Sequence, residues 1–171
     1  MLPASAQAEE GGVMMPSVRF SGGTRIGVDR DAGDVHPEFD VDVGATLFAF
    51  RAHGDQLTAP ALFIIPEAGY TGSFVDLHLF NLGCDVGGGT PLFFGTVRPR
   101  LLAGSSEGAS ALVLGMRSSA VFHGFYDMFT LEIGHEFLWY RGDFHHSVNV
   151  AAGVNFMAIL TAVLADSSSR W

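Results

Sequence analysis

Lysine is absent from this 171-residue chain; its nine cations are all arginine, against eighteen acids, for a formal charge of −9. So thin and scattered a supply of positive charge argues against a nucleic-acid partner, because phosphate binding needs clustered cations. Cysteine is scarcer still. The single Cys84 excludes an internal disulfide framework and any CxxC metal or redox motif, and it reads as an inert thiol. Proline is limited to 7 residues beside 22 glycines, yet hydrophobic residues make up 48%, too apolar a composition for a disordered chain. Also missing is any apolar run near the ~20 residues of a transmembrane helix; stretches such as Ala61 to Ile65 are short and bounded by proline. A membrane crossing would have to be made by strands. The length suits one domain with a sizeable core.

What is present is period two. "FDVDVGATLFAF" (39–50) sets Phe39, Val41, Val43, Ala45 and Leu47 on one face against Asp40, Asp42, Gly44 and Thr46. "FTLEIGHEFLW" (129–139) and "SVNVAAGVNF" (147–156) repeat the pattern, and no helical period fits these windows. Eight such segments are expected, near 17–28, 38–51, 59–71, 74–86, 91–103, 109–122, 126–140 and 146–160. The stretches between them carry turn chemistry: "DRDAGD", "HGDQ", "TGS", "GGGT", "GSSEG", "HGFYD" and "RGDF". Short connections imply an antiparallel meander. Several segments exceed ten residues, whereas globular strands usually have ~5–6 and a tilted strand crosses a bilayer in ~9–11. Aromatic residues fall near segment ends, at Phe39, Phe50, Tyr70, Phe74, Phe93, Phe122, Tyr126, Trp139, Tyr140 and Phe156, as interfacial girdles require.

The final hairpin, "FTLEIGHEFLWYRGDFHHSVNVAAGVNF", and the eight-segment layout resemble the small eight-stranded outer-membrane β-barrels, the OmpA-like and OmpX-like class. The resemblance is architectural and covers roughly residues 17 to 160. It implies an all-β, eight-stranded antiparallel up-and-down transmembrane β-barrel in a bacterial outer membrane. It also implies the lipid bilayer and other envelope proteins as partners, with no cofactor. Residues 1–15 read as a flexible lead and signal-peptide remnant, with Ala6-Gln7-Ala8 as a small-residue cleavage site. Residues 16–171 form the barrel domain, closed by a short C-terminal tail, "MAILTAVLADSSSRW", that departs from a family whose members often end at the last strand's aromatic. A lipocalin-like soluble barrel holding a small apolar ligand is the soluble alternative, and it needs an apolar interior.

Three constellations could carry chemistry. "GHEFLWYRGDFHH" (134–146) begins like the zinc signature His-Glu-x-x-His, but the fourth residue after His135 is Trp139. In a strand His135 and Glu136 face opposite sides, so the likeness is accidental and "RGDF" is a hairpin turn. His145 and Ser147 share a face and resemble the His/Ser pair of the outer-membrane lipid A deacylases, which use a third, acidic partner. Here the only acid after Ser147 is Asp166, and an unaided Ser is a poor nucleophile. The plainer reading is polar residues at a rim. Closure of the barrel would also gather Asp29, Asp31, Asp34 and His36 near Asp143, His145 and His146, a carboxylate and imidazole set able to hold a divalent cation or simply a solvated acidic loop. The glycine-rich "VGGGTP" (86–91) lacks the phosphate-loop pattern and reads as a turn.

The inward face gives the most specific expectation. Alternation turns Asp40, Asp42, Arg98, Arg100, Arg117, Glu132 and Glu136 into a lumen just wide enough for side chains to fill. Buried charges there must pair. An Arg–carboxylate network centred on Arg117, with Glu132 or Glu136, is expected to plug the barrel. The favoured function is non-enzymatic, a structural or interaction protein of the envelope.

Overall fold

The computed structural model describes residues 14–28, 33–51, 59–73, 77–106 and 111–168. Eight strands follow one another: β1 (Met14–Gly27), β2 (Val35–Arg51), β3 (Ala61–Ser73), β4 (Leu77–Thr90), β5 (Phe93–Ser106), β6 (Ala111–Gly124), β7 (Phe129–Tyr140) and β8 (Asp143–Asn155). Each pairs antiparallel with the next, and β1 pairs with β8, so the sheet closes into a barrel. Closure leaves no pair of long strand edges open. Among the described residues the only other element is a helix, α1 (Phe156–Ser168).

Alternation explains why the walls form. Along β5 the side chains run exposed, buried, exposed from Phe93 to Leu102 without interruption, and β7 keeps the same rhythm from Phe129 to Glu136. The two-residue turn Arg141–Gly142 has both φ angles positive, at 56° and 84°, as the tight hairpin turns that match strand twist require. The β2–β3 register shifts between Phe48 and Phe50, at the end of the barrel that holds the termini. The alternation of Glu38, Asp40 and Asp42 is untouched by it.

Several expectations need correction. Strand ends move by a few residues, and β1 starts at Met14, inside the stretch read as a lead; residues 1–13 lie outside the described residues. Gly87, Gly88 and Gly89 belong to β4, and the turn is Pro91–Leu92. A Cβ at Gly87 would sit 2.0 Å from the carbonyl oxygen of Gly95, so glycine here serves the close approach of two strands. The eighth strand stops at Asn155 rather than running to 160, and the tail that follows is helical. Asn155 is the reason: its Oδ1 accepts from the N–H groups of Met157 (3.2 Å) and Ala158 (3.3 Å), which is N-capping. The Ala-, Leu- and Met-containing sequence beyond it favours helix.

That helix has a definite place. β8 first meets β1 at Arg19↔Asn155, whereas β2 pairs β1 from Met14 onward. Residues Met14–Val18 therefore lack a β8 partner. The Val18 N–H is taken by Asn155 Oδ1, and α1 packs against β1. The helix thus packs beside the stretch of β1 edge that β8 leaves unpaired at this end.

Candidate functional site

The lumen is layered. Toward the termini, Ala61, Phe63, Ile65 and Phe94 form an apolar cluster, with Phe63 stacked on Phe94 at 4.0 Å and Phe94 on His123 at 4.3 Å. Toward the opposite, loop end, Leu77, Leu79, Leu102, Val113 and Leu138 form a second. Among and beside them five guanidiniums meet eight carboxylates: Arg19, Arg25, Arg98, Arg100 and Arg117 against Glu38, Asp40, Asp42, Glu67, Asp85, Asp127, Glu132 and Glu136, every one of them buried.

The pairing is dense. Arg19 bonds Glu67 at 2.9 Å and reaches Asp127 at 3.3 Å. Arg98 binds Asp85 through both Nε and Nη2, and Glu132 at 2.6 Å. Arg100 holds Asp42 at 2.5 Å and Glu67 at 2.6 Å. Arg117 holds Glu136 at 2.8 Å and Glu38 at 3.1 Å, and Arg25 adds contacts to the same two acids at 2.8 and 3.2 Å. Acids outnumber guanidiniums, and neutral donors complete the set. Ser119 donates to Glu132, Asn149 to Glu38, Asn81 to Asp42 and Thr71 to Asp40. Buried charges persist only when paired and hydrogen-bonded; here every charged group has an opposite partner, although Arg19 Nε, Arg100 Nη1 and Arg117 Nη1 make no hydrogen bond.

One member comes from a turn. Asp127 lies between β6 and β7, where Phe125, Tyr126 and Asp127 have φ of 51°, 60° and 67°. Three consecutive non-glycine residues in the left-handed region are costly and persist only where the surroundings fix them. The fixing contacts are plain. Phe125 and Tyr126 donate their N–H groups to Leu92 and Pro91, and Asn155 N–H donates to Met128. The Asp127 carboxylate meets His123 Nδ1 at 2.6 Å and accepts from Asn155 Nδ2 at 2.8 Å. Burial alone would raise its pKa, but Arg19, His123 and Asn155 hold the carboxyl below the usual aspartate range.

All seven residues expected in the lumen point inward, and the structure brings them together through Arg19, Arg25, Glu38, Glu67 and Asp85. The choice left open at Arg117 falls to Glu136, while Glu132 pairs with Arg98. His135 and Glu136 face opposite sides: Glu136 is in the lumen, and the His135 ring lies 4.3 Å from Phe137 on the outer wall. Tyr140, expected in the outer girdle, turns inward against the loop-end apolar cluster. The side chains of Phe50 and Phe74 lie outside the description.

At the loop end a cavity of about 230 Å³ is lined by Arg25, Asp34, His36, Tyr140, His145 and Ser147, among others. His145 stacks on Tyr140 at 4.0 Å, and Ser147 donates to Glu136 at 3.3 Å rather than to an imidazole. Asp34, His36, His145 and His146 border this mouth, and Asp143 stands exposed at the start of β8. Asp29 and Asp31 lie outside the described residues. Among the described residues no three His, Cys, Asp or Glu side chains converge as a metal site.

A guanidinium offers only donors and an ionised carboxylate only acceptors, so the network binds itself. Its chemical consequence is a filled lumen. Compared with known proteins, the chain matches no family model, no curated protein and no solved structure.

Proposed function

We propose that this protein is an integral outer-membrane β-barrel with a non-enzymatic, structural or interaction role in the cell envelope, its lumen closed by the ion-pair network. One observation carries the reading: the faces are inverted relative to a soluble barrel. Charges fill the inside, while Phe80, Leu101, Leu112 and Leu131 stand on the outer wall at 60–71% exposure. A soluble barrel keeps its apolar side chains within, and a soluble monomer rarely exposes a continuous apolar patch beyond a few hundred Å². Strands of 12 to 17 residues exceed the ~9–11 needed to cross a bilayer at a tilt.

Two aromatic groups support the orientation of the wall. Near the termini, Phe93 contacts Phe122 and Phe125, and Phe125 contacts Phe129. Near the loop end, Tyr70 is ringed by Phe39, His78 and Phe80. Paired girdles of this kind mark the two interfaces of a membrane barrel. The charged interior gives a lipocalin-like ligand no apolar cavity, and the Ser147–Glu136 bond directs the hydroxyl away from a triad. The test is folding in detergent: the protein should give a β-type circular dichroism spectrum and migrate faster unheated than boiled. A folded, monomeric protein that stays in solution without detergent would overturn the membrane reading.

A further inference from the structure

We infer that α1 is an interfacial anchor, its open face lying among the acyl chains of the leaflet at the end of the barrel that holds the termini; this rests on the membrane reading above. The helix has an unusual surface. Ala158 is buried where the helix packs against β1, while Phe156, Leu160, Val163 and Leu164 stand 38–60% exposed. Their spacing, four, three and one apart, places them on one side. No charged residue occurs between Phe156 and Ala165.

Three further observations name the occupant. The first is length. Thirteen residues make a helix of about 20 Å, too short for the ~30 Å hydrocarbon core, so α1 can lie in a membrane surface but not span it. The second is continuity. α1 starts at Phe156, two residues after Val154, an outward residue of β8 at the level of exposed Phe20, Phe125 and Phe129. The apolar face of the helix thus extends the terminal-end girdle rather than forming a separate patch. The third is size. On its own the helix offers only four such side chains, far fewer than the roughly 20–30 residues per side of a stable protein interface, so a second copy could not be held by α1 alone. Free interfacial helices need a polar face for water; here β1 occupies that side, so a helix that is apolar on nearly all sides is satisfied.

Spin labelling in vesicles of phosphatidylethanolamine and phosphatidylglycerol tests this. With Cys84→Ser as background, labels are placed singly at Val163→Cys, at Leu131→Cys on the outer wall and at Asp143→Cys on the rim. The Val163 label should collide several-fold more with oxygen and several-fold less with a water-soluble nickel chelate than the Asp143 label, as the Leu131 label does. A Val163 label as open to nickel as Asp143, with Leu131 still protected, overturns the anchor and leaves the barrel in its membrane. Dipolar broadening between Val163 labels on different chains overturns it in favour of a second copy. If the Leu131 label is also open to nickel, the membrane reading fails and the anchor with it.

Discussion

Arg117 has no solvent to fall back on. It is 1% exposed, and its guanidinium is shared between Glu136, Glu38 and Asp40. Removing it would leave those carboxylates facing each other in a medium that screens poorly. Deleting one partner of a buried pair costs roughly 3–5 kcal/mol, so Arg117→Ala should lower stability by that order, and Arg117→Met, which keeps most of the volume, should recover little of it. Urea titration of the refolded protein in detergent is the measurement; a loss below about 1 kcal/mol would mean that the network is not cohesive. Asp127 makes the corresponding argument for pH. Its carboxyl titrates below its ordinary range in the folded chain, so its stabilising contribution is complete above the unfolded pKa of about 3.9 and is lost as pH falls through the folded value. Asp127→Asn should therefore be less stable than the parent at neutral pH. The gap between the two should narrow as the solution is taken below about pH 4. A gap that stays constant with pH would show that Asp127 acts through shape alone.

Among the elements, turns and caps were the least legible in the sequence, and the reasons are specific. The wall strands announce themselves, because a residue one place out of register would put a carboxylate on the apolar face. Arg19 and Arg25 share parity with each other and with the lumen face, but Ser21, Gly22 and Gly23 between them dilute the alternation, so their inward place is not legible there. Asp127 could not be found by parity, since a turn residue reaches the lumen only through three left-handed residues that no propensity favours. Asn155 has the parity of a lumen residue and does face inward. Its second role as N-cap is set by where β8 ends, so the helix beyond it reads as more strand. The β7–β8 turn gives an element-scale prediction. Arg141 occupies the first of two positive-φ positions and is exposed; Asn followed by Gly is the favoured pair there. Arg141→Asn should raise stability by up to about 1 kcal/mol, read as a higher melting temperature in detergent. No gain, or a loss, would show that the Arg141 side chain makes a contact worth more than the backbone strain.

At the scale of the whole molecule, the order of the lumen layers decides what the barrel can transport. An open pore needs a continuous wet path, and this lumen is filled by ion pairs packed beside two apolar clusters. Phe63 is 1% and Leu79 0% exposed, one in each apolar cluster, with ion pairs packed around both. Water entering from the loop-end mouth meets Arg25 and Ser147, both bonded to Glu136, beside Leu77 and Leu138, all four lining that cavity. An ion passing further would have to displace guanidinium–carboxylate pairs and then squeeze past stacked Phe63 and Phe94. An eight-stranded barrel holds just enough space for its own side chains, so there is no second route. The unmodified protein, reconstituted into planar bilayers, should show no large, steady conductance. Arg117→Ala should destabilise the barrel without opening it, because both apolar clusters survive the change. Enlarging the lumen at all three levels, with Phe63→Ala, Arg117→Ala and Leu79→Ala together, is the variant in which a leak should appear, if it still folds. A large steady current from the unmodified chain would mean that the layers separate in the bilayer and that the lumen is a channel.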